Sequence, residues 1–110
     1  MNSTLKLGMS DIQYITAFIK DKRGNILSIG KNNYVKTHPY QAECARKVGL
    51  PEKIYLHAEI DAIIKCADIS KAHSISIFRK GKSSKWLLAK PCPICQQAIN
   101  QTNIKKVIHT

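Results

Sequence analysis

Pro91-Cys92-Pro93-Ile94-Cys95 decides how this chain is read. The stretch follows an extended segment, Trp86-Leu87-Leu88, and opens a helix in which Ile94 with Ala98 and Cys95 with Ile99 share a face. Thiols at a helix N-terminus lie at the positive end of the helix dipole, which favours thiolate over thiol. Upstream, His57-Ala58-Glu59 opens a second helix, with Ile60, Ile63, Ile64 and Ala67 at three- and four-residue spacing from His57 to about Ala67. One imidazole and two thiolates bind Zn2+ well and leave a fourth tetrahedral position open, where a water has its pKa lowered to about 7. Glu59, two residues from the imidazole, is placed to move protons between such a water and a bound substrate.

Outward from these pieces, the pattern alternates between strand and helix. Tyr14 to Gly30 reads as a β-hairpin: Ile15, Ala17 and Ile19 alternate with more polar positions, and Asp21-Lys22-Arg23-Gly24-Asn25 makes the turn. Gly30 to Pro39 is loop, and Tyr40 to Val48 a short helix stopped by Gly49 and Pro51. Ser74 to Phe78 is a strand, Gly81 to Ser84 a turn, Trp86 to Leu88 a short returning strand and Ile104 to Ile108 a last one. The expectation is one α/β domain over residues 1–110, its later strands parallel, with both site helices starting at one end of the sheet.

The 110 residues can fill one core but not two ordinary domains. No apolar run approaches the roughly 18 to 20 residues of a membrane span. Met1 to Ser10 lacks the apolar stretch of a signal peptide, and low-complexity tracts and solenoid repeats are absent. With no secretion signal and one close Cys pair among four, a reducing, cytoplasmic compartment is expected. The formal net charge is +11, unevenly placed: no acid follows Asp68, whereas Lys71, Arg79, Lys80, Lys82, Lys85, Lys90, Lys105 and Lys106 do. Such a surface is either plain solvation or a partner for phosphate, in a nucleotide or a nucleic acid.

Blander explanations compete for the same residues. Cys-x-x-Cys opening a helix is also a thioredoxin arrangement, but only 15 residues follow Cys95 here, too few for the rest of that sheet. A structural zinc needs a fourth ligand, and neither Cys44 nor Cys66 stands at ligand-like spacing; both read as small core residues. His73 and His109 read as surface residues, His38 as a loop residue able to line a pocket beside Asn32, and Trp86 as a cover for the sheet.

His57-x-Glu59 with Pro91-Cys92-x-x-Cys95 resembles the signature of the zinc-dependent cytidine deaminase-like superfamily. The wider stretch His57-Ala58-Glu59-Ile60-Asp61-Ala62-Ile63 looks most like the deoxycytidylate deaminase branch, where Asn is common in place of Asp61. Gly30-Lys31-Asn32 is similar to the family's Gly-x-Asn. The resemblance, from about Tyr14 to the end, implies a three-layer α/β/α sandwich in a compact version truncated at the C-terminus. It further implies His57, Cys92 and Cys95 as zinc ligands and Glu59 as catalytic proton shuttle. The Ala58 backbone N–H would meet the base carbonyl and Asn32 the sugar. The implied activity is hydrolytic deamination of a cytosine-type base, in a free nucleotide such as deoxycytidylate or within single-stranded DNA or tRNA; a non-catalytic zinc-containing nucleic-acid binding module is the remaining alternative. Two departures stand out: a basic detour from Arg79 to Lys85, and an end at Thr110 where many relatives continue. The uncovered sheet edge and pocket wall lead to the expectation of a homo-oligomer.

Overall fold

Ile15, Ala17 and Ile19 turn the same side of a strand toward the helices, because successive side chains of a strand alternate between its faces. In the computed structural model, which describes residues 14–81 and 85–110, this strand β1 (Tyr14–Lys20) is central to a five-stranded sheet. It pairs antiparallel with β2 (Ile26–Lys31) on one side and with β3 (Ser74–Lys80) on the other. The hairpin turn is held by Asp21, whose carboxylate accepts from the N–H groups of Arg23 at 2.9 Å and Asn25 at 2.8 Å. Gly24 there has φ +89°, a conformation that favours glycine.

The far edge of β3 is divided between two strands. β5 (Lys106–His109) runs parallel beside Ser74 to Ile77, while β4 (Trp86–Leu87) returns antiparallel beside Arg79 and Lys80. Thr110 bridges the fork: its hydroxyl accepts from the Arg79 N–H at 3.2 Å and donates to the Leu87 carbonyl at 2.6 Å. The expected turn over Gly81 to Ser84 falls partly on residues 82–84, outside the described residues.

Three α-helices are described. α1 (Pro39–Lys47) starts one residue earlier than the sequence pattern suggests, since the fixed φ of proline suits a first helical position. α2 (Ala58–Lys65) follows His57, and α3 (Pro93–Asn100) follows Cys92, so both putting-in points of the motif are N-caps. A single 3-10 turn, Ile69–Lys71, leads into β3.

Ala17, Ile19, Ile75 and Ile77 of the sheet pack with Ala58 and Ala62 of α2 and Ile99 of α3 in one core. The small alanines let α2 approach the sheet closely, and each fully buried isoleucine stabilises the fold by about 1.5–3 kcal/mol. A second cluster, Cys44, Ala45, Leu56, Ile60, Ile94, Cys95 and Ala98, joins α1 to α2 and α3. The mixed α/β architecture is therefore the expected one. The sheet face away from this core carries Phe18, Phe78 and Trp86, with Phe18 and Phe78 edge to face and Trp86 tilted against Phe78; Trp86, still 59% exposed, covers it only in part. No helix among the described residues is long and apolar enough to cross a membrane.

Candidate active site

α2 is fixed to the hairpin by three features that together place its N-terminus. A Cβ on Gly30 would lie 2.2 Å from the Ala58 carbonyl oxygen and 2.3 Å from the Ala62 nitrogen, so only glycine allows helix and strand backbones to approach this closely. Ser28 donates its hydroxyl hydrogen to the Ala62 carbonyl at 2.7 Å. The Lys31 N–H donates to the Asp61 carboxylate at 2.9 Å, and Lys65 pairs with that same carboxylate oxygen at 2.9 Å. Asp61 is thus a clamp between helix and strand, a use that an acceptor-only side chain can fill.

The helix start receives a further support that the sequence did not signal. His57 caps α2 without a side-chain hydrogen bond. Instead its N–H donates to Oε1 of Gln41, 3.2 Å away on α1, and Gln41 Nε2 donates to the Lys53 carbonyl at 3.1 Å. Gln41 is fully buried. The available hint was its place three and four residues before Cys44 and Ala45, a polar side chain on an apolar helix face.

α2 and α3 begin beside each other and bring three side chains together. His57 Nδ1 lies 3.2 Å from Cys95 Sγ and 3.4 Å from Cys92 Sγ, and the three candidate ligand atoms are all within 4.8 Å of one another. Tetrahedral zinc with bonds of about 2.0–2.3 Å sets neighbouring ligand atoms roughly 3.5 Å apart, so this donor set fits the ion. Cys44 and Cys66 lie elsewhere: Cys44 is in the second core cluster, and Cys66 packs beside the first.

The electrostatics are those of a charge-sharing pair. The Cys95 thiol donates to Cys92 and, with the His57 imidazole, pulls the Cys92 thiol down to about 4. Cys95, holding the shared proton in a buried setting, is pushed up. His57 is raised, chiefly by its hydrogen bond to Cys92. Glu59 is only 6% exposed, and burial pushes its carboxyl up, with the Cys92 charge adding to the effect. A carboxyl raised above its ordinary range holds a proton more readily, which suits a proton carrier.

A cavity of about 200 Å3 opens onto this cluster, lined by Asn32, Tyr34, Tyr55, His57 and Glu59 among others. Asn32 Oδ1 accepts from the Ile15 N–H at 3.0 Å, and its own N–H donates to the Ile15 carbonyl. The adjacent Asn33 is a turn residue, its Oδ1 accepting from Val35 and Lys36. Ala58 is fully buried at the first position of α2. His38 is not in the cavity lining; it caps α1, with Nδ1 accepting from the Tyr40 N–H at 3.0 Å. Tyr34 and Tyr55, more than half exposed at the mouth, carried no periodic or motif signal.

The model of one protein family, the cytidine and deoxycytidylate deaminase zinc-binding region, matches residues 10–110. No curated protein sequence matches the chain.

Proposed function

The chain belongs to the cytidine and deoxycytidylate deaminase zinc-binding family, and from that premise we propose that it hydrolytically deaminates the cytosine-type base of a free nucleotide such as deoxycytidylate. The observation that carries the proposal is the convergence of His57, Cys92 and Cys95, with His57 and buried Glu59 lining one cavity. His57, Cys92 and Cys95 would hold zinc, which would supply a water of lowered pKa. Glu59 would carry one proton from that water to the ring nitrogen as the water oxygen bonds to the amine-bearing carbon. It would carry a second proton from the new hydroxyl to the amine, whose C–N bond breaks to release ammonia. The Ala58 N–H, in the first turn of α2 beside the cavity-lining His57 and Glu59, would meet the base carbonyl, and Asn32, which lines the cavity, the sugar.

A base within single-stranded nucleic acid is the second reading, supported by Tyr34 and Tyr55 at the cavity mouth, 55% and 52% exposed. Their rings offer stacking faces to neighbouring bases. A non-catalytic zinc module has no need of a buried carboxylate beside its metal, and Glu59 weighs against it. Turnover of zinc-loaded protein on cytosine nucleosides, mono- and triphosphates and on oligonucleotides separates the readings. Self-association is part of the proposal too: β5 is an edge strand with Val107 36% and Ile108 50% exposed, and a stable monomer by light scattering at micromolar concentration rules it out.

A further inference from the structure

The topology gathers cations at the end of the sheet remote from the candidate site. Lys20 ends β1 and stands opposite Ser74, the first residue of β3. Ser74 in turn stands opposite Lys106, the first residue of β5. Lys22 and Arg23 form the β1–β2 turn, Lys71 closes the 3-10 turn before β3, and the Lys105 N–H donates to the His73 carbonyl at 2.9 Å. Lys22, Arg23 and Lys71, all exposed, line one open cleft of about 420 Å3 with Asp21 and Asn25. The described acids here are Asp21 and Asp68, both occupied locally. Asp21 holds its own turn, and Asp68 accepts from the Ser70 N–H and hydroxyl and lies 4.0 Å from Lys71.

We propose that this end of the sheet is a docking surface for a nucleic-acid backbone. Lys20 of β1 and Lys106 of β5 flank Ser74, two strand spacings or about 10 Å apart, and Lys22 and Arg23 extend the set into the β1–β2 turn, so the cations form a row along the sheet end and not a point. A row suits a linear polyanion, whose phosphates recur at fixed spacing, better than a single phosphate. Residues 20–25, 68–74 and 103–106 contain no Phe, Tyr or Trp. The surface therefore lacks both stacking platforms for bases and aromatic anchors for a bilayer, which leaves backbone contact without sequence preference. Lys20 at this end is five residue steps, about 17 Å, along β1 from Ile15 at the candidate site, so the surface stands apart from the deaminase reading.

Binding of a labelled short DNA duplex by fluorescence anisotropy across a salt series tests the proposal. The wild-type chain should bind more weakly as salt rises, and the triple variant K22Q/R23Q/K71Q should flatten the log–log slope by about 2 to 3 while keeping its zinc content. K36Q/R46Q/K90Q removes the same charge from exposed positions outside this end and should leave most of the slope. K105Q/K106Q should weaken binding in the same direction as the first triple. Equal losses in both triples would reduce the effect to overall charge and overturn the proposal. So would the absence of duplex binding at low salt, or binding confined to phosphatidylserine vesicles.

Discussion

Gln41 of α1 accepts the amide hydrogen of His57 at 3.2 Å and donates to the Lys53 carbonyl at 3.1 Å, with no part of the side chain reaching solvent. One amide thereby ties the segment entering the site to the residue that starts α2. Gln41→Met keeps the volume but leaves a buried N–H and a carbonyl without this partner, at about 1–3 kcal/mol for an unsatisfied group. Urea unfolding should show that loss, and zinc titration should show weaker binding as His57 loosens. Unchanged stability and unchanged zinc affinity would refute the role.

Gly30 makes a sharper prediction, because its neighbours are backbone atoms that cannot rotate away. Gly30→Ala should push α2 off β2 and destabilise the fold by about 3 kcal/mol or more. Activity should fall further than stability explains, since a shift of 1 Å in His57 and Glu59 lowers turnover about a hundredfold. Gly24→Ala is the control: at φ +89° with open space around it, the left-handed backbone alone costs about 1–2 kcal/mol. Activity per folded molecule should stay unchanged there.

Glu59→Gln preserves shape and burial while removing the titrating oxygen. The variant should retain zinc by metal analysis and lose turnover by about 10²- to 10⁴-fold. Loss of zinc in its place would make Glu59 a support of the metal cluster and not the proton carrier.

Short-range chemistry made much of this molecule legible. The hairpin followed from alternation in Ile15 to Ile19 and the Asp21-to-Asn25 turn, and the site from two helix-opening motifs whose residue types have few other joint uses. What escaped depends on which surfaces meet. Gln41 and His57 are 16 residues apart and touch only because α1 packs on α2. His38 looked like a loop residue because an imidazole is an uncommon N-cap, yet Pro39 after it starts the helix and leaves Nδ1 facing the Tyr40 N–H. The split edge of β3 was hidden too, since Thr110 joins β3 and β4 across 31 and 23 residues. The charge row shares this origin: its members are scattered from Lys20 to Lys106 and meet only at the sheet's end.

Metal-free protein should betray its Cys92 thiolate. With that thiol drawn down to about 4 by Cys95 and His57, against an ordinary value near 9, the thiolate persists across the whole range between them. The sign follows from the depression: ionisation is complete well above 4 and is lost only as the pH falls through that value. Iodoacetamide at pH 6 should therefore modify half-buried Cys92 faster than Cys95, which holds the shared proton, or Cys44, which burial pushes up. Zinc should protect Cys92, and a chelator should restore its labelling. Zinc at about a thousandfold over its dissociation constant should also add about 4 kcal/mol of stability, an increment absent from Cys95→Ser once that variant no longer retains the metal. Equal labelling of all four cysteines at pH 6, or no protection by zinc, would separate Cys92 from the metal centre.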